Sequence, residues 1–230
     1  MKKIYKLFSM LVVAAVVATG LNAKDEVDFR VVSKEEATLL QKDGSGKEIC
    51  PLCAMNLPQY YKTNFAAKVG DEIHQYCSVH CMFEEAMTEK IDIVDPQVVD
   101  VPTNKFVDAK TAYYVYGSSK PATMSKLSTY GFAKKKDAEE FAKEFGGEVI
   151  NFEELSAKTW ATLEDDVALV HKRQSMAAKK GEELYKAKCQ KIDGKFKTSA
   201  QAKVYLMENK PCGELTPLEL TQLSHYLKLR

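Results

Sequence analysis

Histidine is scarce in this 230-residue chain. There are four, and none sits in a hydrolase motif. Charge of one sign is also missing: 33 Lys/Arg stand against 32 Asp/Glu, a formal net charge of +1. No arginine-and-aromatic patch marks a nucleic-acid surface, so no nucleic-acid partner is expected. Beyond the first 23 residues no apolar run is long enough to cross a bilayer, so no membrane span is expected in the rest of the chain.

What is present begins with a targeting pattern. Lys2, Lys3 and Lys6 precede the apolar run Leu11 to Val17, and Ala23 offers a small residue for cleavage. This order predicts a signal peptide over residues 1–23 and export to the periplasm, with a retained N-terminal anchor as the alternative. No cysteine stands at the cleavage point, so a lipid anchor is not expected there. The balanced total hides an asymmetry. Residues 24–170 carry a net charge of −9 and residues 171–230 a net charge of +7. The contrast suggests two parts, with a basic tail that either docks on an acidic surface or is simply a solvated helical face.

Hydrophobic pattern and turn residues organise the chain. A short strand near Val27–Val32, a brief helix near Glu35–Gln41 and a loop at Asp43–Gly46 lead in. Tyr61–Val69 and Glu72–Tyr76 read as a hairpin turning at Gly70-Asp71. Ser78 can cap a helix in which Val79, Met82, Phe83, Ala86 and Met87 share one face. Ile91–Val94 and Val98–Val101 read as strands separated by Asp95-Pro96. Thr111–Tyr116 is an aromatic strand, Lys135–Phe145 a helix stopped by Gly146-Gly147, and Glu148–Phe152 a strand. Strand–strand–helix–strand thus occurs twice without sequence identity between the copies. From Glu153 the chain is mainly helical, with Trp160 and Leu163 expected to pack a connecting helix on the core. Helices at Met176–Lys188 and Ser199–Glu208 follow. A last one is announced by Thr216-Pro217-Leu218-Glu219. The fold class is therefore α+β with a small all-α C-terminal domain. The expected divisions are 24–155, a connector at 156–175, and 176–230.

Six cysteines are placed by export in an oxidising compartment, where idle thiols pair. Cys50-Pro51-Leu52-Cys53-Ala54-Met55 and Cys77-Ser78-Val79-His80-Cys81 flank the hairpin, so two close pairs can converge on one ion. Thiolate and thioether sulfurs are soft donors that suit Cu(I) or zinc, and Met55 favours Cu(I) because methionine adds little to zinc. His80 is a further candidate ligand, or a water-facing residue on the polar side of its helix. Two alternatives stay open. One is a zinc-stabilised interaction module or a pair of disulfides. The other is a thiol–disulfide oxidoreductase using Cys50 and Cys53, although Met55-Asn56-Leu57-Pro58 is a poor helix start for redox activation.

Residues 45–155 resemble the nitrous-oxide-reductase accessory family, NosL. The likeness runs through Cys53-Ala54-Met55, Tyr76-Cys77, Asp108 to Ala112, Met124, Tyr130-Gly131-Phe132-Ala133, Ala138 to Ala142 and Gly146 to Val149. The two cysteine segments also look like small YHS/TRASH-type metal modules. The resemblance implies a duplicated ββαβ fold and a Cu(I) chaperone, not an enzyme. It implies ligands at Cys53, Met55 and Met124, with Cys50, Cys77 and Cys81 as exchange partners. The implied client is nitrous oxide reductase, at its copper–sulfide centre, with a periplasmic copper donor upstream. Lipid anchoring is usual in the family and is not expected here, and Cys77 and Cys81 are additions to the minimal motif.

Gly181 to Cys189 looks like the start of a c-type cytochrome domain, and Leu218 to Leu229 like the end of one. Haem attachment needs Cys-x-x-Cys-His, and Cys189 is followed by Gln190-Lys191-Ile192-Asp193, so a haem-free, degenerate version is expected. Cys189 and Cys212 then read as a disulfide contributing roughly 3 kcal/mol to a thin domain. A second copper site using Met176, His171 or His225 has no supporting spacing.

Overall fold

The computed structural model describes residues 27–41 and 44–230. The expected signal peptide lies outside the described residues, as does Asp43 of the lead-in loop. Seven strands form one sheet. In chain order they are β1 (Phe65–Val69), β2 (Glu72–Tyr76), β3 (Val94–Asp100), β4 (Lys105–Asp108), β5 (Tyr113–Tyr116), β6 (Thr129–Phe132) and β7 (Glu148–Ile150). Helices α1 (Val79–Glu89) and α2 (Lys135–Phe145) are followed by α3 (Phe152–Lys188), α4 (Ser199–Asn209) and α5 (Pro217–Leu229).

The repeat suspected from element order is a repeat of topology. β1 is flanked by β2 and β3, both antiparallel to it, with α1 crossing between the flanking strands. β5 is flanked in the same way by β6 and β7, with α2 crossing. The halves meet where β3 and β6 run parallel, at Asp100 and Gly131. A Cβ on Gly131 would stand 2.5 Å from the Val98 side chain, so only glycine lets the halves close this far. Asp100 secures the junction, accepting from the Ala133 N–H and the Thr103 hydroxyl. β4 is an extra strand on β3.

Alternation along the strands puts a core on each face. Tyr114 points to the face covered by α1 and α3 and stacks on Phe65 at 6.0 Å. Its neighbour Val115 points to the opposite face, with Tyr130, Phe132 and the α2 residues Ala138 and Phe141. Helix α1 begins at its Ser78 cap, and α2 ends at Gly146, as expected. Met87, expected on the inner face of α1, lies in its last turn and is 38% exposed.

Several sequence expectations are corrected. Residues 27–32 form a turn rather than a strand, and 35–41 hold no helix. Pro58–Thr63 is a short 3-10 helix, so the hairpin begins at Phe65. The two strands expected around Asp95-Pro96 are the single strand β3. Its register against β1 slips between Ala66 and Lys68, and Asp95 takes a positive φ of 46°. A bulge there absorbs the proline that would otherwise break the ladder. Phe152 is helical, not strand, because Asn151 and Glu154 form a capping box just ahead of it.

The expected connector and first tail helix are one continuous helix of 37 residues. Within it Leu163 is buried, while Trp160 is half exposed and meets Phe83 edge-on at 4.9 Å. The end of α3 packs with α4 and α5 around Ala202, Leu206, Leu223 and Leu227. Cys189 and Cys212 are joined by a disulfide, as expected. No helix among the described residues is long and apolar enough to cross a membrane.

Candidate metal centre

Cys50 to Met55 folds into a tight knuckle. The Cys50 N–H donates to the Met55 carbonyl, and the Ala54 N–H donates back to the Cys50 carbonyl. An isolated bridge between Ile49 and Asn56 closes it. Ala54 takes a left-handed φ of 66° to make the turn. The knuckle does not open a helix, so Cys50 and Cys53 lack the helix-dipole setting that activates redox Cys-x-x-Cys pairs.

The second pair comes from the other side of the hairpin. Cys77 leaves β2 immediately before Ser78, the N-cap of α1. Cys81 stands four residues on, with its N–H bonded to the Ser78 hydroxyl. The turn from β2 into α1 thus brings both sulfurs to the helix start. The four ligand atoms of Cys50, Cys53, Cys77 and Cys81 lie within 4.8 Å of one another. Cys77 Sγ is 3.4 Å from Cys53 Sγ, 3.6 Å from Cys81 Sγ and 3.8 Å from Met55 Sδ. A tetrahedral ion with metal–sulfur bonds of ~2.3 Å needs sulfurs ~3.8 Å apart, so the cluster matches a thiolate-bound ion. All four cysteines are free thiols and buried.

Burial and mutual contact divide the protons unequally. Burial raises the Cys50 thiol, but hydrogen bonds from the other three sulfurs outweigh it and hold the group well below its ordinary value. Contact with Cys50 raises Cys53. Burial, then Cys50 and Cys53, pushes Cys77 well up. Contacts with Cys50, Cys53 and Cys77 do the same to Cys81. The cluster therefore holds one negative charge readily and resists a second, and a bound cation would displace the remaining protons.

His80 is not grouped with the four thiols. It does not face water either: it is 3% exposed, because α3 covers this side of α1. Its Nε2 is 3.0 Å from Asp166 Oδ2 on α3, too far off line for a hydrogen bond. Burial lowers its pKa, and Asp166 only partly restores it. Met124 does reach the neighbourhood. It lies in the loop before β6, at a positive φ of 59°, and shares a cavity of about 360 Å³ with Cys53 and Met55.

The C-terminal segment closes on this centre, which no local pattern announced. Ala200 and Val204 of α4 pack against Ile49 and Ala54 of the knuckle. Lys203, 9% exposed, donates its ammonium to the Ala54 carbonyl at 2.8 Å. Burial lowers the Lys203 pKa, and the charge at Cys53 opposes that. A larger cavity, about 780 Å³, runs between the knuckle and this segment and is lined by Cys53, Met55, Lys203, Met207 and His225. Some of the tail's lysines pair within it, as in Lys186–Glu182 and Lys210–Glu214, while its contacts with the knuckle are the apolar Ala200 and Val204 and the Lys203 hydrogen bond.

A buried four-thiol cluster with a thioether beside it, on a duplicated ββαβ sheet, defines a soft-metal-binding protein. The NosL family model matches residues 42–160, and the chain belongs to that family. Among solved structures, the crystal structure of the copper chaperone NosL from Shewanella denitrificans is similar at 22% identity and a TM-score of 0.39. The alignment covers 51% of this chain and 96% of that one. Comparison with curated proteins gives no match.

Proposed function

We propose that the chain is an exported Cu(I)-binding delivery protein rather than an enzyme, and that its ion is cargo. The observation that carries this reading is the convergence of four buried thiols within 4.8 Å, with Met55 Sδ 3.8 Å from Cys77 Sγ. Cys53 and Met55 also line both neighbouring cavities, so they form the exchangeable side of the cluster. Stepwise ligand exchange through them moves Cu(I) without changing its oxidation state, while each thiol that binds releases its proton to water. Family membership supports nitrous oxide reductase as client, with copper supplied by a periplasmic donor. The Cys189–Cys212 disulfide supports an oxidising compartment.

One observation favours a second reading. Four thiolates in a closed site are a structural-zinc donor set. Anaerobic Cu(I) titration against a competing chelator, repeated with excess zinc, separates the two. Copper delivery predicts that Cys53→Ser and Met55→Leu each weaken Cu(I) binding and that zinc does not displace the ion. Wild-type affinity in both variants would end the copper assignment.

A further inference from the structure

His225 is a largely buried imidazole on the wall of two cavities. It is 6% exposed, and its Nδ1 lies 2.8 Å from the hydroxyl of Ser199, itself 1% exposed. The other ring nitrogen makes no hydrogen bond among the described residues. The ring lines both cavities that reach Cys53 and Met55: the smaller with Met124, the larger with Met207. Its position is fixed by α5, which lies so close on α3 that a Cβ at Gly181 would stand 2.1 Å from the Gln222 carbonyl oxygen. The tail's own spacing gives no second metal site, but the tertiary structure puts His225 in the walls of the same two cavities as Cys53 and Met55.

We propose that His225, presented by the C-terminal helical unit, is a Cu(I) ligand at the mouth of the cluster, holding the ion with Met55 as it passes to or from the buried thiols. The proposal rests on the copper reading above. Ser199 is its positioning residue: it holds the ring at Nδ1, and in the tautomer whose Nδ1–H donates to the Ser199 hydroxyl the Nε2 lone pair is left for metal. Imidazole and thioether are neutral donors, so they hold Cu(I) less tightly than thiolates and let it move on. The surrounding charge also selects. Lys203 lines the larger cavity and Arg173 the smaller. Coulomb repulsion scales with ionic charge, so these cations oppose a divalent ion twice as strongly as a monovalent one.

The test uses the full chain with its disulfide intact. In wild-type protein carrying ¹⁵N-labelled histidine, one equivalent of Cu(I) added anaerobically should shift the His225 Nε2 resonance, and an unmoved resonance overturns the proposal. His225→Gln should slow transfer of bound Cu(I) to a chelator several-fold, and Ser199→Ala should slow it less. Transfer at the wild-type rate in His225→Gln overturns the proposal as well. Cys53→Ser and Met55→Leu separate the two failures. If they weaken copper binding while His225 is silent, only the mouth ligand is wrong. If they do not, the copper reading falls first.

Discussion

At the scale of single residues, Lys203 shows how the C-terminal unit grips the knuckle. Its ammonium satisfies the Ala54 carbonyl, which the left-handed turn at Ala54 points away from the knuckle's own hydrogen bonds. Lys203→Met keeps the length of the side chain but removes the donor. Leaving a buried carbonyl unpaired costs about 1–3 kcal/mol, so the variant should unfold at correspondingly lower denaturant. It should also alkylate faster at Cys53, because the access gained when α4 loosens outweighs the loss of a neighbouring positive charge that favours the thiolate. Unchanged unfolding and alkylation would mean that the contact contributes nothing. The four thiols were legible from their pair spacing around a hairpin, because a turn and a capped helix start have few ways to be arranged. Lys203 was not: it meets Ala54 across 149 residues of sequence, and such a contact leaves no periodic trace.

At the scale of elements, the chain was readable where local chemistry decides. Ser78, Gly146 and Thr216 mark helix ends that the structure keeps. Reading failed where tertiary context overrides propensity. β3 runs through Pro96 because a bulge accommodates it. Gly181 falls inside a helix that was expected, but the close approach of α5 that requires glycine there was not legible. The second case yields a prediction. Gly181→Ala would improve intrinsic helix propensity by ~1 kcal/mol. Yet its methyl would meet Gln222 backbone and the Tyr226 side chain. Backbone cannot yield as a flexible side chain can, so overpacking costing about 1–3 kcal/mol should win. Thermal unfolding should show a net loss of stability, with hydrogen exchange fastest in α4 and α5. A gain in stability would show that the α3–α5 crossing can relax. The disulfide is checked at the same scale. Intact mass after denaturing alkylation without reductant should show four labels, at Cys50, Cys53, Cys77 and Cys81, and none at Cys189 or Cys212.

At the scale of the whole molecule, the seating of the C-terminal unit should depend on pH through its buried histidine. Burial, with the charges of Lys228 and Lys203, lowers the His225 pKa from 6.5 to about 4. Between those values the unfolded chain carries the proton and the folded one does not, so stability falls as pH drops through this window. The full penalty, reached below pH ~4, is on the order of 3 kcal/mol for a shift of that size. Buried His80, also lowered, adds a loss of the same sign in α1. His74 acts oppositely: its hydrogen bond to Glu85 raises its pKa, so its contribution is present at low pH and lost as pH rises through the folded value. Carboxylates intrude later, since Glu219, held at about 2 by Lys188 and Thr216, loses its contribution only as pH falls below 4.5. The upper part of the range from pH 6.5 to 5 therefore belongs mainly to the histidines, with Glu84 of α1, raised by burial, entering from below, and location separates His225 from the groups on α1. After correction for intrinsic exchange, amides of α4 and α5 should lose protection across this window in the wild type. His225→Gln should abolish that loss while leaving the response of α1 unchanged. An equal loss in α4 and α5 of the variant would show that some other group governs how the C-terminal unit sits over the metal centre.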